Sequence, residues 1–569
     1  MPRRAEAHEL ASVAADDDDA RSSLDSSLPP YQDADTMSPP LLDLVESPDA
    51  PLLSPTASTQ PVWLTQRTTR RRLPPLWLSR LLPRLKALLR PRLTWRYILC
   101  AAVALYAAGC VVTGSHFFAS RLPDYSGPHR VGALDLEVPL EKPLLVSNTT
   151  RRRGGAGGEP AFELETVLFT LYYPIDGGVR SRKPRHLWLP PPISLTAEGY
   201  ATLAHANNFI VRPVFTFFLW AVGGSITIPA AVDMPLLSPP SSAAAASSSS
   251  ATTTHRLPVM VFSHGMASSR TDYTHYLGEL ASHGHVVAAL EHRDGSCPGT
   301  IIKHPTKPDR RVLPLRQKDL VSDPPMDEPR LKRDQLAFRT AEIFETIRAL
   351  RTLDAGSALT TTRSEGDHLS SFAHRLDFSH LTIAGHSYGA TGALQALKNA
   401  TSSSNPAVAG IALDPGKASG PFNEDINVPL LVVHSSSWSR AHSMFYGRPH
   451  FDTVRDLVRG VLSRTGAAWF LTSRGTSHPS VTDAPLLEPL LLSWTTGATV
   501  DVKQGLQEYV RVSLDFLNYL QENKTTGILA EKTTHEEYDK WVSKEREAEF
   551  PKQVAKYWQI HVSPADVQS

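Results

Sequence analysis

The sequence predicts an α/β domain in which a mostly parallel β-sheet carries helices on both faces. Short apolar runs, too short for helices, alternate along the chain with amphipathic helical stretches. In addition, a Gly-x-Ser-x-Gly segment stands between one such run and the next helix. The predicted strands are 164–173, 259–263, 285–290, 381–384, 409–413, 430–434 and 468–472. The predicted helices are 273–282, 333–353, 391–399, 453–463 and 503–521.

The most informative motif is Gly385-His386-Ser387-Tyr388-Gly389. A strand leads into it and a helix follows, so Ser387 stands at the apex of a sharp turn. The two glycines let the backbone turn without a Cβ clash, which lifts the serine hydroxyl to where a base can reach it. This is the pattern of a nucleophile elbow and predicts the α/β-hydrolase fold. The alternative is an ordinary serine in a tight strand-to-helix turn.

A nucleophilic serine needs a base, and the base needs a carboxylate that orients it. In this fold the partners follow in the order Ser, Asp, His, each in a loop after a later strand. Asp414 follows the strand 409–413, and His478 lies in the loop after 468–472. We therefore predict Asp414 as the acid and His478 as the base. The alternatives are a turn aspartate before Pro415 and a surface-loop histidine.

Other residues compete for these roles. His434 lies within or at the end of an apolar strand, where a hydrogen-bonded structural histidine is expected. His450 lies in a loop before a helix, and Asp452 is a spare acid. Cys297 stands alone in its part of the chain and is interpreted as a bystander, with no disulfide framework expected from three cysteines.

Acyl transfer also requires preorganised donors for the oxyanion. The strand 259–263 runs into His264-Gly265-Met266-Ala267, and a strand ending in His-Gly upstream of the nucleophile matches the oxyanion loop of this fold. The predicted donors are the backbone N–H groups of Met266 and Tyr388. The alternative is a plain glycine turn.

The composition favours neither a metal nor nucleic acid. The 22 histidines form no H-x-x-x-H or Cys/His metal spacing, and no phosphate-cradling glycine loop is present, so no metal or other cofactor is predicted. The 58 Lys+Arg against 57 Asp+Glu give no global attraction for nucleic acid. No protein partner can be inferred from these features.

The N-terminal part of the chain indicates a membrane anchor. Residues 1–66 are rich in Pro, Ser and Asp, and 67–96 carry nine arginines and one lysine without an acid. We therefore predict a disordered, basic cytosolic tail over 1–96. Residues 97–119 contain no Asp, Glu, Lys or Arg and predict a transmembrane helix, with a buried core helix as the alternative. The apolar stretch 213–231 is interpreted as a buried or interface-facing segment rather than a second span.

The basic cluster before the span predicts a single-pass type II orientation with the catalytic domain lumenal or extracellular. The N-x-Thr sequons at Asn148, Asn399 and Asn523 all lie beyond the span and agree with this side. The expected order after the span is a stem over 120–160, the catalytic domain over 161–525 and a solvated helical tail over 526–569. A low-complexity insert occupies 239–254.

Several segments together resemble the platelet-activating-factor acetylhydrolases of the plasma and type II intracellular kind. They are LYYP at 171–174, GSITIP at 224–229, PVMVFSHG at 258–265, LASHGHVVAALEHRD at 280–294, GHSYG at 385–389, IALD at 411–414 and GTSH at 475–478. The resemblance covers most of 160–520. It implies Ser387 as nucleophile, Asp414 as acid, His478 as base, and Met266 with Tyr388 as oxyanion donors.

This resemblance implies a serine esterase that hydrolyses the short sn-2 acyl ester of a glycerophospholipid. The oxyanion loop departs from the family at Gly265-Met266-Ala267, where a second glycine is usual, which bears on the size of the acyl pocket. The alternatives are a general carboxylesterase or lipase of the same fold, and a catalytically silent lumenal binding domain.

Overall fold

The computed structural model describes residues 94–113, 119–152, 158–178, 180–239, 255–488 and 495–567. The predicted cytosolic tail, except for its last three residues, lies outside the described residues, as does the insert from residue 240 to residue 254.

Strands and helices alternate along the described chain. The strands are β1 (Arg130–Arg151), β2 (Pro160–Ile175), β3 (Ala231–Val232), β4 (Leu257–Ser263), β5 (Val286–Glu291), β6 (Thr300–Ile302), β7 (Arg310–Val312), β8 (Leu320–Val321), β9 (Leu376–His386), β10 (Ala409–Leu413), β11 (Leu430–Ser435), β12 (Met444–Phe445), β13 (Arg448–Pro449), β14 (Ala468–Ser473), β15 (His535–Glu537), β16 (Lys540–Trp541) and β17 (Trp558–Val562). The helices are α1 (Trp95–Thr113), α2 (Ile193–Leu203), α3 (Val211–Gly223), α4 (Thr274–Ser282), α5 (Glu328–Asp354), α6 (Tyr388–Ala396), α7 (Ser436–Arg440), α8 (His450–Thr465), α9 (Ala484–Leu487), α10 (Val502–Glu522), α11 (Lys544–Glu549) and α12 (Lys552–Ala555).

Eleven of the described strands form one mixed sheet in the order β17-β14-β11-β10-β9-β4-β5-β2-β1-β3, with β8 beside β1. The centre, from β5 to β14, is parallel throughout. Antiparallel strands flank it, β2 and β1 on one side and β17 on the other. The carboxyl ends of β4, β9, β10 and β14 therefore meet at one edge, which is where open parallel sheets place their sites.

Both faces of the sheet are covered by helices. Helices α5, α6 and α8 pack on one face and share a core with β2, β4 and β9. Helices α4 and α10 pack on the other face. Double coverage explains why the central strands are continuous apolar runs rather than alternating ones. The mostly parallel sheet with helices on both faces is confirmed, and each predicted strand and helix forms with its ends shifted by a few residues.

The predicted stem over 120–160 is wrong. Residues 130–151 form β1, which pairs with β2 along most of its length. The segment Leu134-Asp135-Leu136-Glu137-Val138 alternates apolar and acidic side chains, which is the period of a strand. Glu137 is buried and Asp135 nearly so, and each carboxylate pairs with an arginine that compensates its charge.

The predicted solvated tail over 526–569 is also wrong. Its Glu and Lys residues concentrate upstream of β17, whereas Trp558, Ile560 and Val562 recur at every second position. Strand β17 is buried and pairs antiparallel with β14, so the C-terminal part of the chain covers an edge of the sheet. Covering an edge satisfies backbone groups that would otherwise be open to another chain.

The predicted transmembrane helix over 97–119 is not supported. The helix that forms there is α1, which has 19 residues and carries Arg96 in its first turn. Among the described residues, no helix has the length and apolar character needed to cross a bilayer. Residues 114–118 of the predicted span lie outside the described residues.

The stretch 213–231 divides into two parts. Ile226, Ile228 and Ala230 are buried, as predicted for a segment packed in the domain. The preceding residues form α3, where Phe217, Phe218 and Trp220 are exposed to solvent. The second part is therefore buried as predicted, and for α3 the interface-facing alternative stays a prediction.

Candidate active site

Ser387 occupies the sharp turn between β9 and α6. Its backbone has φ 56° and ψ −123°, a conformation that non-glycine residues rarely adopt and that costs about 1–3 kcal/mol. A Cβ on Gly385 would lie 2.3 Å from the carbonyl oxygen of Gly389, and one on Gly389 would lie 2.0 Å from that of Ser263. Both glycines are therefore required by close backbone contacts.

The structure brings Ser387, His478 and Asp414 into one hydrogen-bonded series. The Ser387 hydroxyl lies 3.0 Å from His478 Nε2, and His478 Nδ1 lies 2.8 Å from Asp414 Oδ2. A proton on Nδ1 leaves Nε2 as the acceptor for the serine hydroxyl, which is the tautomer a general base needs. His478 is partly exposed and Asp414 is buried.

Neighbouring strands hold the Asp414 carboxylate in place. The register of β10 and β11 pairs Leu413 with Val433, so Asp414 lies opposite His434 and one residue before the level of Ser435. The backbone N–H of Ser435 donates to Oδ1 at 2.6 Å, and its hydroxyl donates to Oδ2 at 2.7 Å. Nothing about Ser435 in the sequence indicates this role, because it depends on which strand lies beside β10.

The loop after β4 lies directly against the serine. A Cβ on Gly265 would be 3.2 Å from the Cβ of Ser387, so a larger residue would press on the nucleophile. Neither the Met266 nor the Tyr388 backbone N–H has a hydrogen-bond acceptor within the described part of the chain. Tyr388 is the first residue of α6, whose N-terminal end favours negative charge. Both N–H groups are thus available to an oxyanion.

Arg339 of α5 supports this loop from below. Its guanidinium donates to the carbonyl oxygen of His264 at 2.6 Å and to Ser296 Oγ at 2.6 Å, and it pairs with Asp294 at 2.8 Å. The carbonyl oxygen of Ser296 in turn accepts from the N–H of Ala267 at 2.8 Å. Arg339 therefore holds His264 directly and Ala267 indirectly, through Ser296.

A second hydrogen-bonded series joins the same loop to the base. The N–H of Gly265 donates to the Tyr273 hydroxyl at 3.1 Å, and that hydroxyl lies 2.9 Å from His386 Nδ1. His386 Nε2 lies 3.0 Å from the carbonyl oxygen of His478. Burial holds the pKa of His386 well below its usual range, so the ring is neutral and donates only from Nε2. His386 could have been suspected from its place in the serine motif, whereas Tyr273 carries no sequence signal.

Trp438 covers one face of the His478 ring. Its indole ring stacks on the imidazole of His478 with ring centroids 4.0 Å apart and planes 10° from parallel. The Lys417 ammonium lies 4.6 Å from the centroid of the same indole. Sequence reasoning missed both residues, since their positions after Asp414 and β11 become meaningful only once the loops meet.

The competing residues do not contact Ser387. His434 is buried and its Nδ1 lies 3.2 Å from Ser439 Oγ, as expected for a structural histidine. His450 is the first residue of α8 and stacks on His434 at 5.5 Å. Asp452 pairs with Arg455 at 2.8 Å. The Cys297 thiol is buried, which raises its pKa well above the usual value.

His386, Asp414 and His478 also bring potential metal-ligand atoms within 4.8 Å of one another. Those atoms are already used in hydrogen bonds, since His478 Nδ1 bonds Asp414 and His386 Nε2 bonds a carbonyl oxygen. The arrangement fits a Ser-His-Asp site without a ligand role for these groups.

A serine at a strained strand-to-helix turn, with its partners after later parallel strands, defines an α/β-hydrolase. The sequence model of the family described as "Platelet-activating factor acetylhydrolase, isoform II" matches residues 115–547. The chain belongs to this family.

Individual relatives agree with the family match. The chain is 25% identical over 329 residues to the platelet-activating factor acetylhydrolase of Cavia porcellus, which covers 56% of this chain and 62% of that protein. It is 28% identical over 284 residues to a putative phospholipase A2 of Schizosaccharomyces pombe, covering 48% and 57%. The chain thus spans less than two thirds of the length of these curated relatives. A solved ferulic acid esterase from Streptomyces cinnamoneus aligns with a TM-score of 0.46 and 15% identity over 78% of this chain and 99% of that one.

Proposed function

We propose that the protein is a serine esterase that hydrolyses the short sn-2 acyl ester, typically acetyl, of platelet-activating-factor-like glycerophospholipids. The observation that carries this proposal is the Ser387–His478–Asp414 series at the edge of the sheet, in a chain that belongs to the acetylhydrolase family. Two relatives of this chain are described by names that denote hydrolysis of lipid esters.

In this proposal, His478 Nε2 accepts the proton of Ser387 while the serine oxygen attacks the ester carbonyl carbon. The N–H groups of Met266 and Tyr388 stabilise the oxyanion. Collapse of this intermediate breaks the bond to the glycerol oxygen, which takes the proton from His478 and leaves as the alcohol. Water, deprotonated by His478, then attacks the acyl-serine and releases the acid and free Ser387.

The test is a Ser387→Ala variant assayed on an sn-2 acetyl phospholipid. Losing the nucleophile should lower kcat by about 10⁴-fold or more without a comparable loss of stability. Ser403→Ala, at an exposed loop serine, is the matched control and should leave kcat unchanged. Undiminished hydrolysis by Ser387→Ala would rule out the proposal.

A panel of ester substrates and a fluorophosphonate label separate this proposal from its alternatives. A general carboxylesterase would hydrolyse neutral esters and longer acyl chains at least as well as sn-2 acetyl phospholipids. A silent binding domain would not react with a fluorophosphonate, which labels only an activated serine. We expect labelling at Ser387 and a preference for short acyl chains on phospholipids.

We further propose that the protein works at a membrane, with the catalytic domain on the lumenal or extracellular side. Phe217 contacts both Phe218 and Trp220, and all three rings are exposed on α3. A contiguous apolar patch of this kind supports contact with lipid. Substitution of Phe217 and Trp220 by serine should reduce sedimentation with vesicles. If neither substitution changes vesicle binding, α3 does not contact the membrane.

The orientation has its own test. Asn148, Asn399 and Asn523 are exposed in the folded domain, so each side chain could carry an N-linked glycan. We expect glycosylation of at least one of them in a eukaryotic host. If the protein carries no glycans and its N-terminal tag is protected inside vesicles, the orientation is the reverse of the one proposed.

A further inference from the structure

Lys417 is a cation beside the catalytic site for which no carboxylate partner forms an ion pair within the described part of the chain. It follows Asp414 by three residues in the loop after β10. The half-buried Lys417 side chain donates from its ammonium to the carbonyl oxygen of Ala441 at 3.1 Å. An ammonium uses three donors, so this one contact leaves Lys417 able to bind an anion.

The position of Lys417 is defined by aromatic contacts. Its ammonium lies 4.6 Å from the Trp438 ring centroid, and Trp438 stacks at 4.0 Å on His478. The imidazole of His478 in turn lies against Ser387, with Nε2 and Oγ 3.0 Å apart. The cation is therefore two side chains away from the nucleophile. This spacing suits an anionic group a few bonds from the scissile ester.

Lys332, which lies on α5, provides a contrast. Its ammonium lies 3.9 Å from Met266 Sδ and 5.0 Å from the Tyr388 ring centroid, so it also borders the oxyanion loop. It pairs with Glu328 at 3.4 Å, however, and is buried. Lys332 therefore has an ion-pair partner, whereas Lys417 has none within the described part of the chain. The carboxylate that acts on Lys417 at longer range, Asp414, is already bound to Ser435 and His478.

We propose that Lys417 binds the phosphate monoanion of the glycerophospholipid substrate and so determines specificity for phosphate-bearing esters. This inference rests on the proposed esterase function. A half-buried ammonium without a carboxylate partner gives up part of its hydration, and an incoming phosphate would restore its charge balance. Burial already lowers the pKa of Lys417 to about 8, with Asp414 opposing that shift.

The experiment compares two monomeric substrates that differ only in the phosphate group, 1-hexyl-2-acetylglycerophosphocholine and 1-hexyl-2-acetylglycerol. The Lys417→Met variant keeps most of the side-chain volume and removes the charge. We expect its KM for the phospholipid to rise about tenfold to hundredfold, with kcat and all constants for the neutral ester unchanged. Lys417→Arg should restore most of the lost affinity, because it restores the charge.

Two measurements guard against a structural explanation. Lys398→Met, at an exposed lysine after α6, is the matched control and should leave both substrates unaffected. Fluorophosphonate labelling of Lys417→Met at the wild-type rate would establish that its catalytic serine is intact. An equal loss on the phospholipid and the neutral ester, or no loss on the phospholipid, would overturn the role of Lys417.

Inorganic phosphate distinguishes the lipid from a free anion. If phosphate inhibits neutral-ester hydrolysis by the wild type through Lys417, while Lys417→Met leaves the phospholipid KM unchanged, the residue binds free phosphate and the proposal fails. Failure of the esterase function itself is different, since the wild type would then hydrolyse neither substrate.

Discussion

Charged groups are treated differently in two regions of this molecule. Beneath the sheet edge, between β1, β5 and α5, buried arginine side chains pair with buried or nearly buried carboxylates. Arg293 pairs with Glu137 at 2.6 Å, Arg339 pairs with Asp294 at 2.8 Å, and Arg270 bridges two carboxylates. At the active site, by contrast, Lys417 has no ion pair within the described part of the chain, and two backbone N–H groups near Ser387 have no acceptor there.

The difference distinguishes a region that keeps the fold rigid from a region that binds a substrate. Unpaired buried charge is costly, so a region whose task is rigidity pairs each charge. A region that must receive a negatively charged group leaves donors and cations unmatched until that group arrives. Arg339 connects the two regions, because its guanidinium holds the loop that carries Met266.

The largest expected effect concerns the acid of the site. In an Asp414→Asn variant the amide would donate to His478 Nδ1, which moves the ring proton to Nε2 and blocks acceptance from Ser387. We expect kcat to fall by about 10⁴-fold. Steady-state kinetics on an acetyl ester measure this, and Asp452→Asn, at the spare acid paired with Arg455, should change kcat little. A loss below tenfold for Asp414→Asn would mean that another group orients His478.

The next effect tests the supporting region. Arg339→Met leaves Asp294 buried without a counter-charge, which should lower the free energy of unfolding by about 3–5 kcal/mol. Arg348→Met on the same helix is the control, since its exposed pair with Glu345 should contribute less than about 1 kcal/mol. Denaturant unfolding of both variants measures the difference. Equal losses would remove the distinction between the buried pairs and the exposed ones.

The smallest effect is a pH dependence that would sharpen the role of Lys417. The titratable groups that face it are Asp414 on its own loop and His434 and His450 on neighbouring elements. Burial holds the pKa values of both histidines well below their usual range, so the two rings stay neutral above pH 7.

With a pKa of about 8, Lys417 is charged below that pH and neutral above it. The ratio of kcat/KM for the phospholipid to that for the neutral ester should therefore fall about tenfold from pH 7 to pH 9. The Lys417→Arg variant should show no such fall, because arginine stays protonated. A pH-independent ratio in the wild type would remove the role of Lys417 charge.

Much of this protein follows from local sequence. The elbow at Ser387 was predictable because its glycines are needed within five residues, and buried parallel strands are recognisable as short apolar runs. Asp414 and His478 were predictable because the order of partners along the chain is constrained in this fold. The stem and the C-terminal tail were predicted wrongly because charged residues in β1 and upstream of β17 obscured short alternating patterns whose partners are distant in sequence.

Only the tertiary structure decided which side chains surround the three site residues. Ser435, Tyr273, Trp438 and Lys417 reach the site because strand register and loop packing bring distant segments together. The same is true of charge: the sequence shows that lysines and arginines are present, but whether each has a partner depends on long-range contacts. That is the physical reason why the nucleophile could be identified from residues 381–399, whereas the distinction between paired Arg339 and Lys417 required the fold.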